Sequence, residues 1–224
     1  MISSLLECRL MKKINIMIAE DNSIVRAGIK IFIDQEVDLQ VIGEASSAEQ
    51  TYSLFNQLMP NVLLIGCLYT RGMSGLEALR RILIRHPIAK VIVNTLQDDI
   101  ALAGFSSSCG ARGYITCLSD NNELIDAIRS VASGKIYISS NMAKKIALQA
   151  TSHKDNPLTC LTTREFEMFR LLAEGCSVKQ ISEILNVGSK TVANYQTNIK
   201  HKLDIHSPVD IVRMAIKYDV IAMH

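Results

Sequence analysis

Along the first 133 residues, short apolar runs alternate with stretches of helical periodicity. The apolar runs are residues 14–19 (INIMIA), 39–43 (LQVIG), 60–67 (PNVLLIGC), 90–95 (KVIVNT) and 113–117 (GYITC). They are too short for buried helices and are bounded by turn residues, which predicts strands. Between and after them, residues 23–33, 48–58, 75–85, 98–106 and 121–133 repeat their apolar positions at helical spacing. Strand and helix in strict alternation predict a parallel sheet with helices on both faces. In such sheets sites lie beyond the carboxyl ends of the strands, here Glu20-Asp21, Gly66-Cys67, Thr95 and Cys117. After residue 133 the pattern changes. Residues 139–149 predict a short helix with Ser140 as its cap, and 151–157 (TSHKDNP) are polar and turn-rich, as a linker is. From 158 onward every apolar period is helical. The division predicted is an extension at 1–11, an α/β domain at 12–133, a linker with a short helix at 134–157, and an all-helical domain at 158–224.

The helical domain turns on residues 189–203 (SKTVANYQTNIKHKL). Val192, Ile199 and Leu203 make one apolar stripe. Lys190, Ala193, Asn194, Thr197 and Lys200, with Thr191 beside them, make a face of small, polar and cationic residues without an acid. Short side chains let a helix approach base edges in a major groove, Asn can pair with adenine, and methyls can meet thymine. Lys190, Lys200 and Lys202 can neutralise phosphates. Just upstream, residues 178–186 (VKQISEILN) form a second amphipathic stretch. The link at 187–188 offers Gly188 for a left-handed turn, and Ser189 as an N-cap. Helix, tight turn, helix is the layout of a DNA-reading motif. From the pattern alone, an ordinary bundle helix fits equally.

Composition narrows the classes. Hydrophobic residues make up 48% of the 224 residues, enough for two packed cores. Aromatics are 5% and Trp is absent, which argues against stacking on single strands. Net charge is only +2; residues 1–150 carry 15 basic against 14 acidic side chains, and 151–224 carry 9 against 8. DNA binding would therefore rest on local placement of charge and on dimerisation. The six cysteines show no metal-binding spacing and suggest a reducing, cytoplasmic compartment. No apolar run reaches the roughly 20 residues that span a bilayer. The opening MISSLLECRL is a poor signal peptide, and Met11 is a second candidate start. His86, His153, His201, His206 and His224 are scattered, so no nucleophile–base constellation suggests an enzyme.

Two resemblances organise these observations. Residues 161–221, with LTTRE opening a helix, then KQISEILNV and SKTVANYQTNIKHKL, resemble the LuxR-type DNA-binding domain. Residues 12–133, with IAEDNSIVRAGIK, VIGEASS, GMSGLEALRRI, KVIVNT and GARGYIT, resemble the receiver of two-component response regulators. Their order is that of the NarL/FixJ class, with wording closest to its GacA/UvrY-like members. The resemblance implies a flavodoxin-like receiver, a five-stranded parallel sheet of order 2-1-3-4-5, joined to an all-α four-helix helix-turn-helix domain. It implies a cytoplasmic transcription regulator that binds double-stranded DNA as a homodimer, takes a sensor kinase or another response regulator as partner, and needs no membrane. Ala193, Asn194 and Thr197 fall at its base-reading positions.

The family's chemistry needs an Asp at the end of the third strand as phosphoryl acceptor, Mg²⁺ held by that Asp and an acidic pair, and a Lys on the fifth strand. This chain keeps the acidic pair as Glu20 and Asp21, the switch hydroxyl as Thr95, and the mobile aromatic as Tyr114. It carries no acid between Glu49 and Glu77. Counting forward from Pro60 puts Gly66 at the acceptor position, and counting backward from Gly75 puts Cys67 there. The residues after it are Thr70-Arg71 in place of Met-Pro, and Cys117 replaces the Lys. The reading is an atypical receiver that works without aspartyl phosphorylation, with weakened Mg²⁺ binding and no cofactor. Cys67 and Cys117 can be read as a thiol pair or soft-metal site, or as small residues filling space. An alternative function is an interaction protein that pairs with and modulates another response regulator.

Overall fold

A computed structural model describes residues 13–66, 73–95, 100–116, 121–152, 157–218 and 220–221. The first domain runs β1 (Ile14–Ala19), α1 (Ser23–Asp34), β2 (Leu39–Ala45), α2 (Ala48–Leu58), β3 (Val62–Gly66), α3 (Gly75–Arg85), β4 (Val91–Thr95), α4 (Ile100–Ser108), β5 (Gly113–Thr116) and α5 (Asn121–Ala132). All strand pairs are parallel. Alternate side chains divide the core, as the period of two requires. Ile16, Ile18, Val62, Leu64, Ile92 and Ile115 pack under Ile33 of α1 and Leu124, Ile125 and Ile128 of α5. Met17, Leu63, Ile65, Val91 and Val93 face Phe55 of α2, Leu79 and Ile82 of α3 and Leu102 of α4.

The sheet has six strands, not the five expected: its order is β2-β1-β3-β4-β5-β6, where β6 is Tyr137–Ile138 from the stretch read as linker. Tyr137 N–H donates to the Arg112 carbonyl at 2.9 Å, and Ser139 N–H to that of Tyr114 at 3.1 Å. α6 (Ser140–Ser152) follows. Its first turn is capped by Ser139, whose hydroxyl oxygen accepts from Met142 N–H at 3.4 Å. Ser140, the expected cap, is already helical.

A 3₁₀ turn (Pro157–Cys160) leads into four helices, α7 (Thr163–Ala173), α8 (Val178–Leu185), α9 (Ser189–Leu203) and α10 (Pro208–Lys217). Three begin in capping boxes, Thr162–Glu165, Ser177–Gln180 and Ser207–Asp210, each satisfying N–H groups that a helix start leaves unpaired. The apolar core of this domain, with Phe166 and Phe169 at its centre, is continuous with the α3–α4 side of the first domain. Phe105 of α4 stacks on Phe166 of α7 with ring centroids 4.3 Å apart.

Candidate nucleic-acid interface and the pocket above the sheet

α8 ends where Asn186 turns left-handed at φ 49°, which lets its N–H reach back to the Ser182 carbonyl. Asn tolerates this conformation better than other non-glycine residues. The expectation had placed the left-handed residue at Gly188 and the cap at Ser189. Instead Gly188 is extended (φ −68°, ψ 148°) and is itself the N-cap, without a side-chain bond, and Ser189 opens α9. Its hydroxyl lies 3.3 Å from that of Ser182, tying the two helices at the turn.

Val192, Ile199 and Leu203 are buried, so α9 is seated by the stripe read from sequence. Lys190, Thr191, Ala193, Asn194 and Thr197 are all exposed on the remaining surface, and Lys200 is half-buried. The Thr197 hydroxyl donates to the Ala193 carbonyl at 3.1 Å, which leaves its oxygen lone pairs and its methyl for new contacts. The side chain of Asn194 enters no hydrogen bond among the described residues that would hold its amide away from solvent. Lysine and histidine crowd the last turn, where they complement the partial negative charge of the helix end.

Lys202 stands apart from the other predicted phosphate contacts. Its ammonium is 2.7 Å from the Glu165 carboxylate and 3.5 Å from the Cys160 carbonyl, inside the domain. Glu165 also accepts from Thr162 N–H at 2.7 Å and the Thr162 hydroxyl at 2.9 Å. Burial pushes the Glu165 carboxyl up, but Lys202 and the Thr162 donors outweigh it and hold it below the ordinary value. Sequence reading also passed over Arg164. Its guanidinium donates to the Leu185 carbonyl at 2.7 Å and to Glu167 at 2.9 Å, so it ties the end of α8 to α7. An arginine directly after the Thr-Thr cap was the available signal.

Above the sheet, β1 ends at Glu20 and Asp21. Asn22 caps α1, accepting from Ile24 N–H at 3.0 Å and Val25 N–H at 3.2 Å. Its own N–H donates to Glu20 Oε1 at 3.2 Å. Burial raises the Glu20 carboxyl to about 7; the Asn22 N–H opposes this and Asp21 adds to it. Gly66 closes β3, paired in register with Asn94. A Cβ built on Gly66 would stand 2.7 Å from Glu20 Oε2, so position 66 points into the pocket and Glu20 fills the room a side chain would take. Thr95 and Tyr114, both buried, place their hydroxyls 3.1 Å apart. Cys67 and Cys117 lie outside the described residues, and with them both readings of a thiol pair. The donor set for a Mg²⁺ ion is thus Glu20 and Asp21. With no third carboxylate from position 66, this set falls short of the hard oxygen ligands that ion takes in the family. Among the described residues no group of three His, Cys, Asp or Glu side chains is placed to hold a metal, and no helix is long and apolar enough to cross a membrane.

Comparison with known proteins places both domains. Residues 16–129 match the response regulator receiver domain, and residues 159–215 match the bacterial regulatory proteins of the luxR family. The chain is 32% identical to the response regulator UvrY of Escherichia coli (strain K12) over 207 residues, covering 92% of this chain and 94% of that one. It is 32% identical to the response regulator GacA of Pseudomonas aeruginosa over 210 residues, covering 93% and 98%. Among solved structures, RcsB of Salmonella enterica serovar Typhimurium, bound to promoter rprA, shares the fold with a TM-score of 0.67 at 21% identity, over 90% of this chain and 98% of that one.

Proposed function

The chain belongs to the two-component response regulators with a LuxR-type DNA-binding domain, and from that premise we propose that it controls transcription without switching by aspartyl phosphorylation. The family consists of transcription regulators, not enzymes. In this reading the protein works in the cytoplasm, and two copies bind adjacent half-sites on duplex DNA. α9 enters the major groove with Asn194 toward an adenine edge, and Ala193 and the Thr197 methyl toward thymine methyls. Lys190, Thr191 and Lys200 contact phosphate, and these contacts carry the salt dependence of binding.

Gly66 carries the second half of the reading. It ends the third strand, its missing side chain is aimed at Glu20, and it offers no carboxylate to form an acyl phosphate. In the sequence, the residue after β5 is Cys117, where the family has a lysine to meet the developing charge.

The test is selection of sites from a random duplex pool with protein never exposed to a phosphodonor. Affinity is then measured before and after acetyl phosphate, with intact mass in parallel. Selective binding with unchanged mass and affinity is the expected result. A gain of one phosphoryl group with tighter binding would overturn the reading.

A further inference from the structure

The two domains meet through a contact that the DNA-reading face does not use. Ser74 caps α3, its oxygen accepting from Glu77 N–H at 3.2 Å. The same hydroxyl donates across the domain boundary to Oε1 of Glu167 on α7. Glu167 is only 7% exposed, and the stacked rings of Phe105 and Phe166 close the same interface.

The charged groups around Glu167 come from both sides. From α7, Arg164 bonds the second carboxylate oxygen at 2.9 Å, and Arg170 lies near. From α3, Glu77 adds a like charge, itself tied to Arg80 at 3.0 Å and Arg81 at 2.8 Å. Burial wins over the two arginines and lifts the Glu167 carboxyl to about 7. The physical reason is desolvation: docking strips water from a carboxyl, which is costly when the group is charged and cheap when it is neutral. If the domains part, water returns to Glu167 and the charged form is no longer penalised.

We propose that Ser74 and Glu167 form a proton-sensitive latch, which holds the DNA-binding domain on α3 and α4 while Glu167 is protonated and lets it go when that proton is lost. Lys190, Asn194 and Thr197 stay exposed in the docked form. The latch therefore governs how the reading helix is oriented relative to the first domain, not whether DNA can reach it. It stands whether or not the pocket accepts a phosphoryl group. The sign follows from proton linkage: the docked form binds the proton more tightly, so docking is favoured at low pH. The ratio of open to docked protein rises by up to about tenfold for each pH unit between the ordinary carboxyl value of 4.5 and about 7, and levels off above that.

The test is small-angle X-ray scattering of the full chain at pH 6 and pH 8.5, with circular dichroism to certify folding. Wild type is expected to expand at the higher pH. Glu167→Gln, neutral at every pH, is expected to stay compact at both. Ser74→Ala lies on the other domain and removes the hydroxyl donor, so it should expand already at pH 6. A wild-type radius of gyration unchanged between the two values overturns the latch. So does an identical expansion in Glu167→Gln, which would assign the effect to another group, and so does a Ser74→Ala chain as compact at pH 6 as wild type.

Discussion

Replacing Lys202 by Met takes away the cation that the Glu165 carboxylate faces while keeping the aliphatic stem in place. Removing one partner of a buried ion pair costs about 3–5 kcal/mol, because the other charge is left without compensation. Two features reduce that here. Lys202 is 37% exposed, so water already screens part of the attraction. Glu165 also keeps its two Thr162 donors. A loss of about 2 kcal/mol remains, read by urea unfolding followed by circular dichroism. Glu165 is held below its ordinary value of 4.5 in the folded protein, so its contribution is present above that value and disappears as the pH falls through the lowered one. The gap between wild type and Lys202→Met should therefore be widest near neutral pH and narrow as the pH approaches and passes below 4.5. The slope of log affinity for DNA against log salt should not change, because this ammonium is spent inside the domain. A stability loss under about 0.5 kcal/mol, together with a salt slope reduced by about one unit, would refute the reasoning and return Lys202 to the phosphate contacts.

Asn194→Ala should cost about 1–3 kcal/mol of discrimination at one base pair and little on random DNA, read by binding to single-base variants of a selected site. Lys190→Ala should weaken all sequences alike and flatten the salt slope by about one unit in the same titrations. Ile199→Ala, at a wholly buried position of α9, should destabilise by about 2–5 kcal/mol in urea unfolding. Gly66→Ala sets a Cβ against the mobile end of Glu20 and should push that carboxyl toward water. Its titration by NMR should fall from about 7 toward 4.5, with stability changed by no more than about 1 kcal/mol. A carboxyl that still titrates near 7 in a folded Gly66→Ala protein would show that the pocket makes room some other way.

What the chain declared in advance was what local pattern can carry. Residues 14–19 are apolar except for Asn15, and the last four are fully buried because β1 is covered on both faces, so the run and the strand coincide. The body of α9 was legible since Val192, Ile199 and Leu203 mark its buried line, although its cap fell one residue earlier than expected. β6 was not legible. Two residues have no period, and they pair only because the edge of β5 presents Arg112 and Tyr114 to them. The turn before α9 was misjudged because glycine is the usual left-handed residue, and here Asn186 takes that conformation one step earlier, leaving Gly188 extended. Lys202 looked like a phosphate contact because its partner, Glu165, lies 37 residues upstream and only folding joins them. The choice between Gly66 and Cys67 depends on strand register, which sequence alone does not set. A one-residue slip reverses the face of every side chain, and the pairing of Gly66 with Asn94 places position 66 toward Glu20.

β6 also bears on how the first domain could be isolated. A chain cut after residue 133, where the family-like stretch ends, would leave β5 with a row of unpaired N–H and C=O groups on its outer side. Bare edges of that kind recruit strands from other molecules. Such a fragment would be expected to stick to itself for a reason unrelated to signalling. Retaining the residues through Ser139 would supply the two main-chain bonds that blunt the edge. The segment that looks like a tether is, in this sense, a hem on the sheet.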